Sequence, residues 1–337
     1  MYNISLINGD GIGPEISRSA IRILENINDK FNLKFTIDEL EAGDNMLSKT
    51  GYALPTKTIK SINRSIACLK APVGESASDV IVFLRQKLNL YANIRPIKSY
   101  PNMKSLKNNI DFVIVRENTE DLYLGNEFEV GDTAIAMRVI SEKASREISE
   151  YACKIAKYRN GLNKVTCVHK ANVLKKTDGL FVNICKEVIK SHHNIKFESM
   201  YVDACAMNMI RNPEKFDVIV TTNMFGDILS DEAAQISGSL GIAPSANIGE
   251  NYALFEPVHG AAFDIAGKQI ANPIAIILSI KMMLDWISTK YHDKESNFVA
   301  TRLENAVDST IKNNIKTKDI GGNYTTNEFT SEIINRI

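Results

Sequence analysis

Neither sign of charge dominates this chain, since forty Lys and Arg residues stand against forty Asp and Glu. Without a net positive field there is nothing to recruit nucleic acid or an anionic membrane surface, so the expected partner is a small molecule. Cysteine is sparse as well. Cys68, Cys153, Cys167, Cys185 and Cys205 are scattered, odd in number and without CxxC spacing. That argues against a disulfide framework or a zinc knuckle and leaves reduced, mostly core thiols. No apolar run reaches membrane-spanning length, and the N-terminus enters a strand pattern at once (Tyr2-Asn-Ile-Ser-Leu-Ile7), with no basic and apolar leader regions before it. Repeats, low-complexity tracts and a disordered tail are also missing. What remains points to a globular, cytoplasmic enzyme. Its 337 residues, 44% hydrophobic, suffice for two modest domains or one large α/β unit.

Short β-branched runs alternate with longer helical patterns: Ile4 to Asn8, a helix from about Pro14 to Phe31, Lys34 to Ile37, a polar helix, then Ala67 to Lys70. This is the rhythm of a layered α/β protein. Strands are expected at Asp111 to Arg116, Val165 to His169 and Val218 to Thr222. The loop Ser99-Tyr-Pro-Asn-Met-Lys104 suits a crossing between domains, and Gly238 to Gly249, rich in Gly, Ser, Ala and Pro, suits a flexible return segment. The expected organisation is a first domain of residues 1–98 plus 238–337, with a second, 99–237, inserted in it.

Asp227 and Asp231, in Gly226-Asp-Ile-Leu-Ser-Asp-Glu-Ala-Ala234, follow the apolar run Phe216-Asp-Val-Ile-Val220. A spacing of four puts both carboxylates on one helix face. Ile228, Leu229, Ala233 and Ala234 suggest a largely buried helix, where two carboxylates repel unless a cation or guanidinium stands between them. Taken alone, such a pair more often marks a solvated face. Gly9-Asp-Gly-Ile-Gly-Pro-Glu15 follows a strand and opens a helix, but the third glycine of a dinucleotide fingerprint is absent, so a plain strand-to-helix turn reads equally well.

Three arginines stand beside apolar sequence: Arg85 on a helix, Arg95 at the end of an extended segment before Pro96, and Arg116 at the end of a strand. Guanidinium binds carboxylate bidentately, so together they suit a substrate with several carboxylates. Tyr123 could donate a proton near a cation, and Lys170, directly after a strand in Thr166-Cys-Val-His-Lys-Ala-Asn172, could act as a base beside a metal. Asp203 is a third candidate metal ligand. Oxygen ligands from separate elements suit Mg²⁺ or Mn²⁺.

With these residues in place, the chain resembles the NAD(P)-dependent β-decarboxylating dehydrogenases, which include the 3-isopropylmalate, isocitrate and homoisocitrate dehydrogenases. The resemblance runs nearly end to end. It is carried by Gly9 to Glu15, Leu90-Tyr-Ala-Asn-Ile-Arg-Pro96, Val115-Arg-Glu-Asn-Thr-Glu120, His169-Lys-Ala-Asn172, Gly226 to Asp231 and Glu256-Pro-Val-His-Gly260. It implies an α/β fold distinct from Rossmann, with two domains and the active site in a central cleft. It also implies a homodimer, or a dimer of dimers, paired through the smaller domain. Lys170 and Asp203 would then enter the partner's site, and an isolated monomer would be inactive.

By the same resemblance, Arg85, Arg95 and Arg116 hold the malate carboxylates. Asp227, Asp231 and Asp203 bind Mg²⁺ or Mn²⁺, with Asp227 also against the substrate; Lys170 assists removal of the hydroxyl proton, and Tyr123 protonates the enolate left after CO₂ departs. Ile12, Asn172, Glu256, His259, Gly260, Asp264, Ile265 and Asn272 match cofactor positions. An Asp at 264 favours NAD, because its carboxylate accepts hydrogen bonds from ribose hydroxyls and repels a 2′-phosphate, whereas NADP users resemble one another in having Lys-Tyr at 264 and 265. Ala261 and Phe263 depart from the common pattern. A catalytically silent regulatory chain would usually have lost metal or base positions, and all are present here.

Selectivity should lie near the C3 substituent. Ile81 and Val82 precede Arg85 by one turn, while isocitrate enzymes of the family carry Ser and Asn where this chain has Asp79 and Ile81. Aliphatic side chains cannot pair with an extra carboxylate, whose desolvation costs several kcal/mol, but favour an isopropyl group by roughly 0.8 kcal/mol per methylene. The expected reaction is oxidative decarboxylation of 3-isopropylmalate to 4-methyl-2-oxopentanoate, a step of leucine biosynthesis. Homoisocitrate stays open, because Val115 to Glu120 and Val202 to Met209 look closer to enzymes acting on it; those resemble one another in a basic residue near position 82, where this chain has Val82. An alternative for Ile81 and Val82 is that they merely face the core.

Overall fold

The computed structural model describes residues 1–337. In chain order the first elements are β1 (Tyr2–Ile7), α1 (Gly13–Lys30), β2 (Phe35–Leu40), α2 (Asp44–Thr50), α3 (Thr56–Ile62), β3 (Ala67–Lys70), α4 (Asp79–Lys87) and β4 (Ala92–Lys98). Then come β5 (Asp111–Glu117), a hairpin of β6 (Glu127–Val130) and β7 (Thr133–Ala136), α5 (Glu142–Arg159), β8 (Lys164–His169), α6 (Thr177–Ser191), β9 (Lys196–Tyr201), α7 (Val202–Arg211), β10 (Val218–Thr221) and α8 (Asn223–Ser237). The chain closes with β11 (Pro244–Ile248), β12 (Ala253–Pro257), α9 (Ile274–Tyr291), α10 (Lys294–Lys312) and α11 (Thr326–Ile334).

Ten strands form one sheet in the order β2-β1-β3-β12-β11-β4-β5-β10-β8-β9. Its two flanks are parallel, and direction reverses only through the centre, where β11 is antiparallel to β12 and β4, and β4 to β5. The strands from residues 2–98 and 244–257 thus occupy one run of the sheet, and those from 111–221 the other. Helices cover both faces, so inner strands such as β10 (Val-Ile-Val-Thr) are buried throughout, while the edge strands β2 and β9 carry exposed polar residues. In β5, Val113 and Val115 point into the main core while Phe112 and Ile114 point into a second core under α7 and α8. Neighbouring β10 splits likewise, with Val218 and Val220 on one face and Ile219 on the other.

Two expectations need correction. The segment 238–249 is no flexible return: it contains β11, every residue of which is buried at the centre of the sheet. Arg95 does not end an extended segment either, because β4 continues through Pro96 to Lys98. Strand β11 pairs only with Ala92, Asn93 and Ile94, so beyond Ile94 one side of β4 carries no ladder and a residue lacking an N–H is tolerated.

The glycine-rich opening serves close packing. Gly9 and Gly11 take positive φ, and a Cβ on them would fall 2.0 Å from the carbonyl oxygens of Pro72 and Ala261 respectively. That approach lets the amides of Asp10 and Ile12 donate to the same two carbonyls, at 2.8 Å each. The buried Asp10 carboxylate accepts from the amides of Asp44, Asn45 and Gly74. The loop therefore pins together the segments that leave β3 and β12.

Candidate active site

Those two segments are walls of the principal cleft, about 770 Å³, which is lined among others by Lys70, Val73, Ile81, Arg85, Arg95 and Glu256. All three predicted arginines are buried and close enough to repel one another, and Arg85 and Arg95 line the cleft. Arg85, from α4, donates from Nε to Asn247 Oδ1 at 3.0 Å and lies 3.4 Å from Glu256 Oε1. Arg95, from β4, reaches Asp227 and Asp231 at 3.2 Å each, and its Nε donates to Asn93 at 2.9 Å. Arg116, from the end of β5, pairs with Asp227 through Nη1 and donates from Nε to Asn223; its Nη2 is buried without a partner. Burial and mutual repulsion push the Arg85 guanidinium down to about 10.

Asp227 and Asp231 project from α8 toward these guanidinium groups. The helix is less buried than its sequence suggested. Leu229, Ala233 and Ala234 are buried as expected, but Ile228 is 61% exposed. Burial raises the proton affinity of Asp227, yet Arg116 and Arg95 outweigh it and hold the carboxyl below its ordinary value. Asp231 titrates above its ordinary value because burial and the charge of Asp227 outweigh the help of Arg95. Tyr123 donates from Oη to Asp227 Oδ2 at 2.6 Å, with the Arg116 guanidinium 5.0 Å from its ring centre. Burial and the Asp227 charge raise the phenol above its ordinary value, against the opposing Arg116 charge.

A metal fits this donor set in part. Two carboxylates one helical turn apart offer hard oxygen ligands, and the partly solvated Asp231 has charge left to compensate. Within one chain, though, no three His, Cys, Asp or Glu side chains gather as a metal site. Asp203, at the start of α7, pairs with Lys170 at 2.8 Å, and neither lines the cleft. Asn172 is exposed in the turn after Lys170 and lies away from the other predicted cofactor residues.

Ile12, His259, Gly260, Ile265 and Asn272 do come together, around a second cavity of about 270 Å³ that shares His259 and Gly260 with the cleft. Asp264 is exposed beside it, and Phe263 is exposed on the cleft wall. Glu256 lies deeper, at the cleft floor, between Lys70 at 2.9 Å and Arg85. Ile81 lines the cleft next to Arg85, but Val82 does not.

Lys70, Asn93 and Asn247 went unread in the sequence. Lys70 carried a signal, a charge closing a buried strand. Asn93 stands inside the Leu90 to Pro96 motif, while nothing marks Asn247.

The isocitrate/isopropylmalate dehydrogenase family model matches residues 3–337. The chain belongs to this family. It is 51% identical over 338 residues to a 3-isopropylmalate dehydrogenase of Sulfurisphaera tokodaii, covering 100% of this chain and 99% of that protein. To a homoisocitrate dehydrogenase of Methanocaldococcus jannaschii it is 47% identical, covering 100% and 98%. A crystal structure of isocitrate dehydrogenase from Methylococcus capsulatus superposes with a TM-score of 0.93 at 41% identity, covering 100% and 99%. The protein is thus an enzyme, a β-decarboxylating dehydrogenase with the mixed α/β fold of its family.

Proposed function

We propose that this dehydrogenase oxidatively decarboxylates 3-isopropylmalate to 4-methyl-2-oxopentanoate, using NAD and Mg²⁺ or Mn²⁺, in leucine biosynthesis. One observation carries the choice of substrate. On the Arg85 side the cleft wall offers Ile81 and Val73 with the neutral Ser76 and Ser78, and the one cation of the cleft besides the arginines, Lys70, is already paired with Glu256. An extra carboxylate at C3 would be desolvated against apolar carbon with no free cation to receive it, whereas an isopropyl group gains from that surface. The 51% identity to a 3-isopropylmalate dehydrogenase agrees. Homoisocitrate is the second reading, supported by the 47% identity to an enzyme of that name.

Arg85, Arg95 and Arg116 would bind and orient the two malate carboxylates. Asp227 and Asp231, with Asp203 of the partner subunit, would hold the cation, which would supply Lewis-acid polarisation of the substrate, and Ile12, His259, Gly260, Ile265 and Asn272 would hold NAD, which would supply the hydride acceptor. Lys170 of the partner subunit takes the hydroxyl proton. The bond from C3 to the departing carboxylate breaks, its electrons remain on the substrate as an enolate, and CO₂ leaves. Tyr123, still protonated, delivers its proton to C3. Asp264 at the adenosine cavity favours NAD over NADP by repelling a 2′-phosphate.

The division into residues 1–98 plus 238–337 and an inserted 99–237 agrees with the two runs of the sheet. Pairing through the inserted part is supported by its surface. Asp203, Met207 and Ile210 share one face of α7, with Met207 58% and Ile210 44% exposed, and Ile228 stands uncovered between the two aspartates of α8. A second subunit seated there would cover these side chains and bring Asp203 and Lys170 toward its partner's site. Five free buried thiols suit a reducing cytoplasm.

The test is kcat/KM for 3-isopropylmalate, isocitrate, homoisocitrate and malate, each with NAD and NADP. A preference for isocitrate or homoisocitrate would overturn the substrate, and a preference for NADP the cofactor.

A further inference from the structure

Tyr123, Lys170 and helix α8 sit on three separate segments, and a single guanidinium reaches all three, the Lys170 turn through Asp178. Arg138, just after β7, donates from Nε to Asp121 Oδ1 at 2.6 Å, and Asp121 opens the tight turn that presents Tyr123. Through Nη1 it pairs with Asp178, whose other oxygen accepts the backbone amide of Lys170 at 2.6 Å. Through Nη2 it donates to Thr222 Oγ at 2.8 Å, the residue capping α8, and its plane lies 4.7 Å from the ring centre of Phe225 in the first turn of that helix. Asp121 closes the arrangement by accepting the amide of Met224 at 3.1 Å.

Both carboxylates are fully buried, and the arginine side chain is only 12% exposed. Asp121 has φ +73°, a conformation costly for any residue but glycine, which persists only where its surroundings hold it. Only a planar fork of N–H groups can donate to acceptors in three directions at once; a lysine ammonium is a point charge that cannot span them.

We propose that Arg138 is a positioning residue that sets the Tyr123 turn, the Lys170 turn and the start of α8 relative to one another. The proposal rests on the roles given above to Tyr123 and Lys170. Because Tyr123 serves the site of its own subunit and Lys170 that of the partner, each Arg138 supports both sites of the dimer. It touches neither substrate nor cofactor, and Asp227 and Asp231 stand further along α8 than the Thr222 and Phe225 it contacts, so at saturating metal its loss should appear mainly in turnover. Displacing a reacting group by about 1 Å costs on the order of 100-fold in rate.

The experiment compares Arg138→Met and Arg138→Lys with wild-type enzyme for kcat, KM and the Kd of 3-isopropylmalate by fluorescence titration. Expected for Arg138→Met is a kcat lower by about 10- to 100-fold with KM and Kd within about twofold. Arg138→Lys, which keeps the charge, should fall between Met and wild type, and it carries the test where the Met variant fails to fold. Mixed dimers then separate positioning from mere stability. One wild-type and one Arg138→Lys subunit should turn over at well below half the wild-type rate plus half the variant rate, because each site borrows one misplaced group. A mixed dimer at that half-sum, a loss confined to KM, or a folded variant with wild-type kcat would overturn the proposal. As control, mixed dimers of one inactive Tyr123→Phe and one inactive Lys170→Met subunit are isolated. Recovery of about half the wild-type activity supports the shared-site reading, whereas no recovery sinks that reading and the proposal with it. Recovery alongside an unimpaired Arg138 mixed dimer sinks the proposal alone.

Discussion

Glu256→Gln should destabilise the enzyme by roughly 3 kcal/mol at neutral pH. The carboxylate is buried between Lys70 and Arg85, at 2.9 and 3.4 Å. Burial alone would raise its proton affinity, but the two cations dominate and push it from 4.5 down to about 2. At ~1.4 kcal/mol per tenfold change in proton affinity, the pairing contributes roughly 3 kcal/mol. An independent route agrees, since removing one partner of a buried ion pair costs about 3–5 kcal/mol through the charge left behind. The folded protein holds this carboxyl below its unfolded value, so the contribution is complete above about pH 4.5 and is lost as pH falls toward 2. At pH 3.5 roughly 2 kcal/mol should remain.

Urea denaturation of wild type and variant, at one fixed protein concentration, reads this difference at pH 7.5 and 3.5. With an unfolding entropy of ~2 cal/mol/K per residue, the corresponding drop in Tm is about 4 °C for a chain of this length. The double variant Lys70→Met/Glu256→Gln should regain part of the loss, because one of the two stranded cations is gone. A gap below about 1 kcal/mol at pH 7.5, or one that does not narrow on acidification, would show that the ion pair does not carry this energy.

Tyr123→Phe should lower kcat by about 100-fold or more while substrate KM changes little, as expected for loss of a proton donor; steady-state kinetics with unchanged turnover would remove the tyrosine from that role. Asp231→Asn should raise the Mg²⁺ or Mn²⁺ concentration needed for half-maximal activity by at least tenfold, read by titrating metal into chelator-treated enzyme. A metal requirement that stays the same would place the cation elsewhere. Ile81→Arg should shift kcat/KM from 3-isopropylmalate toward isocitrate or homoisocitrate by supplying the missing cation, and an unchanged ratio would mean that Ile81 does not face the C3 group.

The aspartates were legible because helical period alone puts residues 227 and 231 on one face, and the arginines because each closes or interrupts an apolar element. Their mutual arrangement was not. Strand β11, Pro-Ser-Ala-Asn-Ile, has almost none of the β-branched character that marks a central strand. It is held by side-chain bonds that no periodicity reveals: the Asn247 oxygen accepts from Arg85, Asn93 and Asn118, and its amide donates to Glu256. Arg138 was equally hidden. It follows an exposed hairpin, and its meaning lies in carboxylates 17 and 40 residues away in sequence. Lys170 and Asp203 were read as a candidate base and a candidate metal ligand, and only the family resemblance set them in the partner's site; one chain pairs them with each other, and neither lines its own cleft.

The charges of the site imply that metal and substrate support each other's binding. In the chain alone, Asp227 is engaged by Arg95, Arg116 and Tyr123, so two of the arginines proposed for the substrate are held by the aspartate proposed for the metal. A divalent cation at Asp227 and Asp231 would compete for those oxygens and free the guanidinium groups, including the unpartnered Nη2 of Arg116, for substrate carboxylates. A substrate carboxylate would likewise draw the arginines from the aspartates and leave them open to the cation. Each event removes part of the cost of the other, and such coupling is reciprocal by thermodynamic necessity. Until substrate binds, four neighbouring cations, Arg85, Arg95, Arg116 and Lys70, are held by three carboxylates, Glu256, Asp227 and Asp231, and under the proposed roles the substrate would bring the remaining negative charge.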